Sequence, residues 1–397
     1  MHIALLTDGL YPYVLGGMPR HAYHVAKNFL ALGVKLTLVH CVAQKDTIPT
    51  EEEVRKVLEA PEGKLNVIGL KFPEHKRIPG HYVRESYAYS CHIFEALKNK
   101  WITFDFIYAK GFTAWCLLEH KKKGFHTAPV GLQFHGYEMY QRAPSLKSKL
   151  AQYVLRPPVV YNSRHANAVF SYGGEITDII KKIGVNPDKI IEIGSGVEDS
   201  WIVDKPKPQE GLRKFVFVGR NERRKGIEEI MKCGDVFSET NSEMHWVGPI
   251  TPMYKAKGSN HVFHGEVRGA AAVKEILDKC QVLIAPSHSE GMPNVVFEGM
   301  ARGLAIISTK VGGLSSMTSN EIGRVVSPRK VSELKEAIRE LALMPEEELM
   351  KLRKNSIRDI NEKYTWSGTA RETLRAIREV TFSHKSKREE VVITEKK

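Results

Sequence analysis

The sequence predicts an α/β protein built from two Rossmann-like, doubly wound domains that face each other across a central cleft. Short runs rich in β-branched residues alternate with longer stretches of helical period, which is typical of a parallel sheet covered by helices. The alternation occurs twice, and a polar segment containing Pro206-Lys207-Pro208 separates the two halves. At 397 residues, the chain is long enough for two domains of ordinary size.

The first half begins with a predicted strand at Ile3–Thr7, followed by a loop that contains Gly16-Gly17. An apolar stripe of helical period comes next and ends at Gly33, a residue type that commonly terminates helices. The strands predicted for this half are 3–7, 34–42, 65–70, 106–109, 130–134, 168–171 and 190–193, with helices around 82–98 and 146–155.

The second half repeats the pattern and ends in a helix that we expect to return to the first domain. Its predicted strands are 215–218, 245–248, 262–264, 282–285, 305–308 and 324–326. The closing helix is marked by Ala370, Leu374, Ile377 and Val380. The predicted organisation is an N-terminal domain at 1–200, an exposed linker at 201–213, a C-terminal domain at 214–366, a crossover helix at 367–383 and a charged, disordered tail at 384–397.

Composition excludes several classes of protein. With 42% hydrophobic and 26% charged residues, the chain has the make-up of an ordinary globular protein. No apolar run reaches the roughly 18–20 residues of a membrane span, and the N-terminus lacks a signal-peptide pattern, so we expect a cytoplasmic location. The five cysteines are scattered, which predicts neither a disulfide framework nor a zinc site. The net charge of +13 leaves nucleic acid, anionic membranes and phosphorylated small molecules open as partners.

The most informative stretch follows the predicted strand at Val282–Ala285. Glu290 and Glu298 are seven residues apart there and flank Gly291-Met292-Pro293-Asn294-Val295. Pro293 suits the first turn of a helix, whose free N–H groups would face the cleft and bind phosphate oxygens. Glu298 can accept hydrogen bonds from the paired hydroxyls of a ribose, and Glu290 can bind sugar hydroxyls or support positive charge at a sugar carbon. The stretch predicts a site for a sugar nucleotide.

Other candidate residues also lie where predicted strands end. Arg220 ends a strand and Lys225 opens the next helix, so both could reach the cleft and neutralise a diphosphate. Gly16 and Gly17 let the backbone approach a phosphate or an acceptor closely. His135 follows a strand and should lie at the mouth of the cleft. We expect the neighbouring Arg223 and Arg224 to face solvent.

Taken in order, these motifs resemble the retaining family-four glycosyltransferases of the GT-B fold over nearly the whole chain. The resemblance rests on Gly16-Gly17, Phe134-His135-Gly136, Gly194-Ser195-Gly196-Val197-Glu198, Val218-Gly219-Arg220, Lys225-Gly226, the Glu290 to Glu298 stretch and Val311-Gly312-Gly313. It implies that Arg220 and Lys225 grip the donor diphosphate, that Glu298 holds the ribose, that Glu290 lies near the sugar and that His135 lies at the reaction centre. It also implies same-face attack, in which the leaving phosphate helps to deprotonate the acceptor.

We therefore expect transfer of a hexose-like group from a nucleotide-diphosphate sugar to a hydroxyl of a glycan, a lipid-linked molecule or a small molecule. We expect no cofactor and no nucleic-acid partner. We also expect no metal, because the sequence has no Asp-x-Asp element that would bind a divalent cation. The basic surface permits peripheral contact with the inner face of a membrane. Two alternatives stay open. A sugar-nucleotide epimerase of this fold would convert the donor without an acceptor, and a non-catalytic protein would close on a free sugar.

Overall fold

The computed structural model describes residues 1–74, 80–141, 146–208, 211–250 and 260–394. Its first lobe is built on a parallel sheet of seven strands in the order β3-β2-β1-β4-β5-β6-β7. The strands are β1 (His2–Leu6), β2 (Lys35–Val42), β3 (Leu65–Lys71), β4 (Phe106–Lys110), β5 (Val130–Gln133), β6 (Ala168–Ser171) and β7 (Ile190–Glu192). The strand order reverses between β1 and β4, which places a ligand crevice at the carboxyl ends of these strands.

The second lobe repeats this arrangement with a parallel sheet of six strands in the order β10-β9-β8-β11-β12-β13. Its strands are β8 (Arg213–Val218), β9 (Ser242–Val247), β10 (His261–Gly265), β11 (Val282–Ala285), β12 (Ala305–Thr309) and β13 (Gly323–Val326). The order reverses between β8 and β11, and the carboxyl edges of the two sheets face a shared cleft. This architecture confirms the predicted fold class, and all thirteen predicted strands are present.

Helices cover both faces of each sheet, so the central strands are buried on both sides and their sequences are almost continuously apolar. The helices of the first lobe are α1 (Gly17–Ala31), α2 (Glu51–Leu58), α3 (His81–Ala96), α4 (Trp115–Lys122), α5 (Leu146–His165) and α6 (Glu175–Lys182). The remaining helices are α7 (Ile227–Met231), α8 (Gly234–Glu239), α9 (Ala270–Leu277), α10 (Asn294–Ala301), α11 (Leu314–Met317), α12 (Val331–Leu343), α13 (Glu346–Lys363) and α14 (Trp366–Thr394).

The segment between the lobes is less exposed than predicted. Trp201 is buried in the apolar core of the second lobe, and Pro206 is buried as well. Arg353 of α13 donates a hydrogen bond of 3.0 Å from Nη2 to the carbonyl oxygen of Lys207. The linker is therefore docked on the second lobe, because its few apolar residues find buried positions there.

The closing helix returns to the first lobe, as predicted. Trp366, Leu374 and Ile377 pack in the same core cluster as α1. The expectation of a disordered tail is wrong for residues 384–394, because α14 continues to Thr394; residues 395–397 lie outside the described ranges. A helix that is already nucleated extends at low cost through residues of good helix propensity such as Lys, Arg and Glu.

Helix α5 is longer than predicted and contains two prolines. The helix predicted at 146–155 runs on to His165, and Pro157 and Pro158 lie inside it. Among the helices in the described ranges, none is long and apolar enough to cross a membrane.

Candidate functional site

Glu290 and Lys225 form a buried ion pair at the carboxyl edge of the second sheet. Lys225 Nζ donates to Glu290 Oε1 at 2.6 Å, and the hydroxyl of Ser287 donates to the same oxygen at 2.7 Å. The Glu290 side chain is 7% exposed and that of Lys225 is 16% exposed. The loop after β11 and the segment after β8 bring the pair together, since β8 and β11 are neighbours in the sheet. Two residues 65 positions apart in sequence thus meet at the carboxyl edge of the sheet, the edge at which open α/β sheets bind ligands.

The stretch after Glu290 leads directly into α10. Pro293 occupies the N-cap position, one residue earlier than predicted, and Asn294 and Val295 are the first two residues of the helix. Met292 is buried, and its Sδ accepts a hydrogen bond of 3.0 Å from the backbone N–H of Ser195 in the first lobe. The first N–H groups of a helix have no partner within it, so this end of α10 can bind an anion.

Glu298 lies one turn into α10 and faces residues of the first lobe. Arg20 Nη1 is 3.7 Å from Glu298 Oε1. Burial raises the pKa of Glu298 to about 7; the charge of Arg20 opposes the rise and that of Glu198 adds to it. The carboxyl therefore titrates near neutral pH. A cleft of about 310 Å³ adjoins it, lined by Tyr11, Arg20, His24, Glu198, Trp201, Val218, Val267, Gly269, Ala270, Val273 and Glu298.

His135 contacts glycines from both lobes. A Cβ atom on Gly17, the first residue of α1, would lie 2.7 Å from His135 Nε2, and one on Gly291 would lie 2.2 Å from the His135 carbonyl oxygen. Gly16 precedes Gly17 as the N-cap of α1. His135 Nδ1 shares a hydrogen bond of 3.0 Å with the hydroxyl of Tyr172. Burial, reinforced by the charge of Lys110, lowers the pKa of His135 to about 4, so the imidazole is neutral at pH 7.

Gln141 joins the two lobes at the Glu290 backbone. Its Nε2 donates to the Glu290 carbonyl oxygen at 2.9 Å, and its Oε1 accepts from the Glu290 N–H at 3.1 Å. A second contact between the lobes lies at Gly312, whose N–H donates a hydrogen bond of 2.6 Å to Glu175 Oε2. Gly312 has φ of +50°, and a Cβ atom there would lie 1.8 Å from the Glu290 carbonyl oxygen. The lobes are therefore in contact at the position of Glu290.

Two arginines of the basic run, Arg220 and Arg224, lie in other surroundings than predicted. The Arg220 side chain is 73% exposed and pairs with Glu222 at 2.9 Å, so it does not join the Glu290 and Lys225 pair. Arg224, which we expected in solvent, places Nη1 3.4 Å from Glu290 Oε2. Arg223 is exposed, as predicted, and also donates two hydrogen bonds of 2.9 Å to Glu229. Arg223 and Arg224 lie beside the buried carboxylates of Glu229 and Glu290, because a buried charge without a partner is costly.

Sequence reasoning missed several residues of the site, among them Ser287, Tyr172, Arg20 and Gln141. Arg20 lies three positions after Gly17, so helical spacing could have placed it at the same edge. Gln141 gives no such signal, because its partner is 149 residues away. Within the described ranges, no three His, Cys, Asp or Glu side chains are grouped so that they could hold a metal ion. Metal independence stays a prediction.

Two family models match the chain. The model described as Glycosyltransferase Family 4 matches residues 15–201, and the one described as Glycosyl transferases group 1 matches residues 213–343. The glycosyltransferase TuaC of Bacillus subtilis, named for teichuronic acid biosynthesis, is 28% identical over 184 residues, which are 44% of this chain and 46% of TuaC. The chain spans about half the length of several curated relatives that it matches.

Solved structures match over almost the whole chain. Sucrose-phosphate synthase from Thermosynechococcus elongatus superposes with a TM-score of 0.74 at 16% identity, covering 96% of this chain and 99% of that one. HepE of Anabaena in complex with UDP superposes with a TM-score of 0.66 at 13% identity, covering 96% of this chain and all of that one. At this level of identity, the likeness shows the fold.

Proposed function

Because the chain belongs to the glycosyltransferases of the GT-B fold, with a family-four domain followed by a group 1 domain, we propose that it transfers a hexose-like group from a nucleotide-diphosphate sugar to an acceptor hydroxyl with retention of anomeric configuration. One observation carries the proposal. The Glu290 and Lys225 pair lies beside the start of α10, and His135 of the other lobe lies against Gly291.

The donor diphosphate fits between Lys225 and the first turn of α10. Lys225 supplies a point charge, and the free N–H groups at Asn294 and Val295 supply hydrogen bonds. Gly17 leaves room for backbone approach from the opposite lobe. Arg220 would also contact the diphosphate if its side chain left Glu222. Breaking that ion pair costs little free energy, because the Arg220 side chain is exposed. HepE was solved with UDP, which supports a nucleoside diphosphate as the ligand here.

The nucleoside fits the cleft beside Glu298. Its carboxyl, titrating near neutral pH, would accept hydrogen bonds from the two ribose hydroxyls. Val218, Val267 and Val273 give the same cleft an apolar wall that suits the face of a base. Arg20, which now neighbours Glu298, comes from the first lobe, so both lobes would contact the nucleoside.

The reaction needs few acid or base groups from the protein. The acceptor oxygen would form a bond to the anomeric carbon as the bond from that carbon to the phosphate oxygen breaks. The acceptor proton would pass to the leaving phosphate, and the nucleoside diphosphate would depart. Neutral His135 would orient a hydroxyl by hydrogen bonding. Glu290, already bonded to Lys225 and Ser287, suits sugar binding or electrostatic support better than nucleophilic attack.

The acceptor and the location are also part of this proposal. The acceptor hydroxyl belongs to a glycan, a lipid-linked molecule or a small molecule, and the reaction requires neither a cofactor nor a metal. We further propose a cytoplasmic protein in peripheral contact with the inner face of the membrane.

Binding of nucleoside diphosphates tests the donor assignment. One of UDP, GDP and ADP should raise the melting temperature, because a ligand selective for the folded state stabilises it. Glu298→Ala should weaken that binding by about tenfold or more, since losing a charge-assisted hydrogen bond costs roughly 1.5–3 kcal/mol. Glu336→Ala, at a 73% exposed side chain of α12, is the matched control. Failure of all three nucleotides to bind would remove the donor assignment.

Two alternatives predict different products. A sugar-nucleotide epimerase would convert the donor to an isomer without an acceptor, which NMR of the donor incubated alone would detect. A non-catalytic protein would bind free sugar tightly and never turn over. Transfer with retention, seen as the anomeric coupling of the product, would favour the transferase over both.

A further inference from the structure

The two ring nitrogens of His135 have different surroundings. Nδ1 lies 3.0 Å from the hydroxyl oxygen of Tyr172, the residue that follows β6. Nε2 faces the start of α1, where a Cβ atom on Gly17 would lie 2.7 Å from it. A neutral imidazole carries one proton, so one nitrogen donates a hydrogen bond and the other accepts one. The position of that proton decides what His135 can do in the cleft.

Tyr172 determines the role of Nδ1. Its side chain is 3% exposed, and burial raises the pKa of the phenol well above its usual value, so the hydroxyl keeps its hydrogen. Among the residues that the structure describes, this hydroxyl has no second hydrogen-bond partner. If it accepted a hydrogen bond from Nδ1, its own buried O–H would be left without an acceptor, which costs free energy. Tyr172 therefore donates its hydrogen to Nδ1.

The proton of the His135 imidazole must then be on Nε2. No residue in the described ranges forms a hydrogen bond with Nε2, and this atom is not one of the described side-chain atoms that lack both a partner and contact with solvent. Nε2 is therefore accessible from the cleft beside Gly17. Its N–H can donate to an oxygen atom there, but it cannot take a proton from a hydroxyl.

Both lobes hold Tyr172 in this position. Its ring packs in the same apolar cluster as Met292 and Leu314 of the second lobe. The hydroxyl of Ser316 donates to the Tyr172 carbonyl oxygen at 3.2 Å. The rings of Tyr172 and His135 meet edge to face, with centroids 5.6 Å apart and an angle of 88° between their planes. A phenol fixed in this way keeps its hydroxyl directed at one nitrogen, which pre-organises the imidazole.

We propose that Tyr172 is a positioning residue that keeps the proton of the His135 imidazole on Nε2 and directs this N–H into the cleft. His135 is then a hydrogen-bond donor rather than a general base, and the atom that it recognises is an oxygen of the nucleotide sugar, in a hydroxyl or a phosphate group. The recognition of that oxygen rests on the proposed function. The position of the proton does not, because it is a property of the free protein.

Nitrogen NMR of the full chain, prepared with isotope-labelled histidine, tests the position of the proton without any ligand. At neutral pH, multiple-bond proton–nitrogen spectra should show Nε2 of His135 as the protonated nitrogen and Nδ1 as the unprotonated one. The resonances that are missing from the spectrum of His135→Gln identify this residue. A proton on Nδ1, or exchange between the two forms, would overturn the proposal. This measurement uses the unmodified protein, so it does not depend on the folding of a Tyr172 variant.

Tyr172→Phe keeps the ring and removes only the hydroxyl. The Nδ1 resonance of His135 should move by several parts per million toward that of a nitrogen without a hydrogen bond. Tyr89→Phe is the matched control, because Tyr89 is 1% exposed in the same lobe and its hydroxyl donates to the Thr7 carbonyl oxygen at 2.7 Å. The control should leave the His135 resonances unchanged. An Nδ1 resonance that stays in place in Tyr172→Phe would refute the role of Tyr172.

Ligand titration tests the recognition of oxygen. With whichever of UDP, GDP and ADP binds, and with the glucose conjugate of that nucleotide, at least one ligand should shift the resonance of the Nε2 proton. The shift should be smaller in Tyr172→Phe, because the imidazole is held less firmly. A resonance that neither ligand moves, although both bind, would overturn this part of the proposal. If no nucleotide binds, the proposed function fails instead, and the position of the proton in the free protein is unaffected.

Discussion

Replacing Lys225 with alanine should separate the two roles that this side chain has in the structure and in the proposed function. In the free protein, its ammonium group neutralises the buried carboxylate of Glu290 at 2.6 Å. In the proposed donor complex, it also contacts a phosphate. The first role affects stability and the second affects affinity, so the two can be measured independently.

The cost in stability follows from what remains around Glu290. Breaking a buried ion pair by removing one partner costs about 3–5 kcal/mol when the remaining charge is left alone. Here the Ser287 hydroxyl still donates at 2.7 Å and Arg224 stays 3.4 Å away, so we expect about 1–3 kcal/mol. For a lobe of this size, that corresponds to a fall in melting temperature of about 3–10 °C.

The cost in affinity is estimated separately. A hydrogen bond between an ammonium and a phosphate contributes about 1.5–3 kcal/mol, so nucleoside diphosphate should bind about 10- to 150-fold more weakly. Calorimetric titration with whichever of UDP, GDP and ADP binds the unmodified protein measures this. A nucleoside diphosphate is the right probe, because it lacks the transferred hexose that Glu290 would contact in the full donor. Lys214→Ala is the control, since Lys214 lies 3.9 Å from Glu243 in a partly exposed pair of the same lobe.

The double variant Lys225→Ala with Glu290→Gln distinguishes the two roles. A neutral amide no longer requires a cation, so most of the lost melting temperature should return. Affinity for the nucleoside diphosphate should stay low, because the phosphate contact is still missing. Recovery of both quantities would show that Lys225 serves only to neutralise Glu290 and would refute its role in donor binding. An unchanged melting temperature in the single variant would refute the buried pair.

Three further predictions concern other parts of the site. Because folded Glu298 has a raised pKa of about 7, the stability that it contributes should be complete below about pH 4.5 and be lost as pH rises to about 7. Glu298→Gln should remove this dependence and, above pH 7, be the more stable protein by up to about 3 kcal/mol; parallel pH profiles of melting temperature would contradict it. Gly312→Ala should cost about 3 kcal/mol or more and most of the transfer rate, whereas Gly33→Ala, with φ of +79° and no atom within 4 Å, should cost only about 1–2 kcal/mol. Gln141→Leu should loosen the contact between the lobes, giving a larger radius of gyration in X-ray scattering without ligand; an unchanged profile would count against a clamp at Glu290.

Local pattern was sufficient to predict the strands, because a buried parallel strand has a nearly continuous apolar sequence. Local pattern was less reliable in two situations: where tertiary packing buries a polar segment, and where a helix already formed continues through residues of unfavourable composition. Pro206 lies in a polar, Pro-rich segment yet is buried, and Pro157 and Pro158 lie inside a helix. The charged stretch from 384 to 394 continues a helix that begins in an apolar core.

For the candidate site, the sequence by itself determined the chemistry at the start of α10. The spacing of Glu290 and Glu298 and the position of Pro293 depend on a strand, a loop and a helix that are contiguous in the chain, so local rules apply to them. Lys225 could be named on the same grounds, as a cation that follows a strand. These are properties of residues near in sequence.

Only the tertiary structure decided which side chains meet. It paired Lys225 with Glu290, left Arg220 in solvent, and brought Gln141 to the Glu290 backbone from 149 residues away. It also placed Arg20 beside Glu298, and burial there raised the pKa of that carboxyl. The physical reason is that ion pairing and desolvation depend on distance and burial in three dimensions. Neighbouring strands within the second sheet and the contact between the two lobes set both quantities, and no local sequence pattern encodes them.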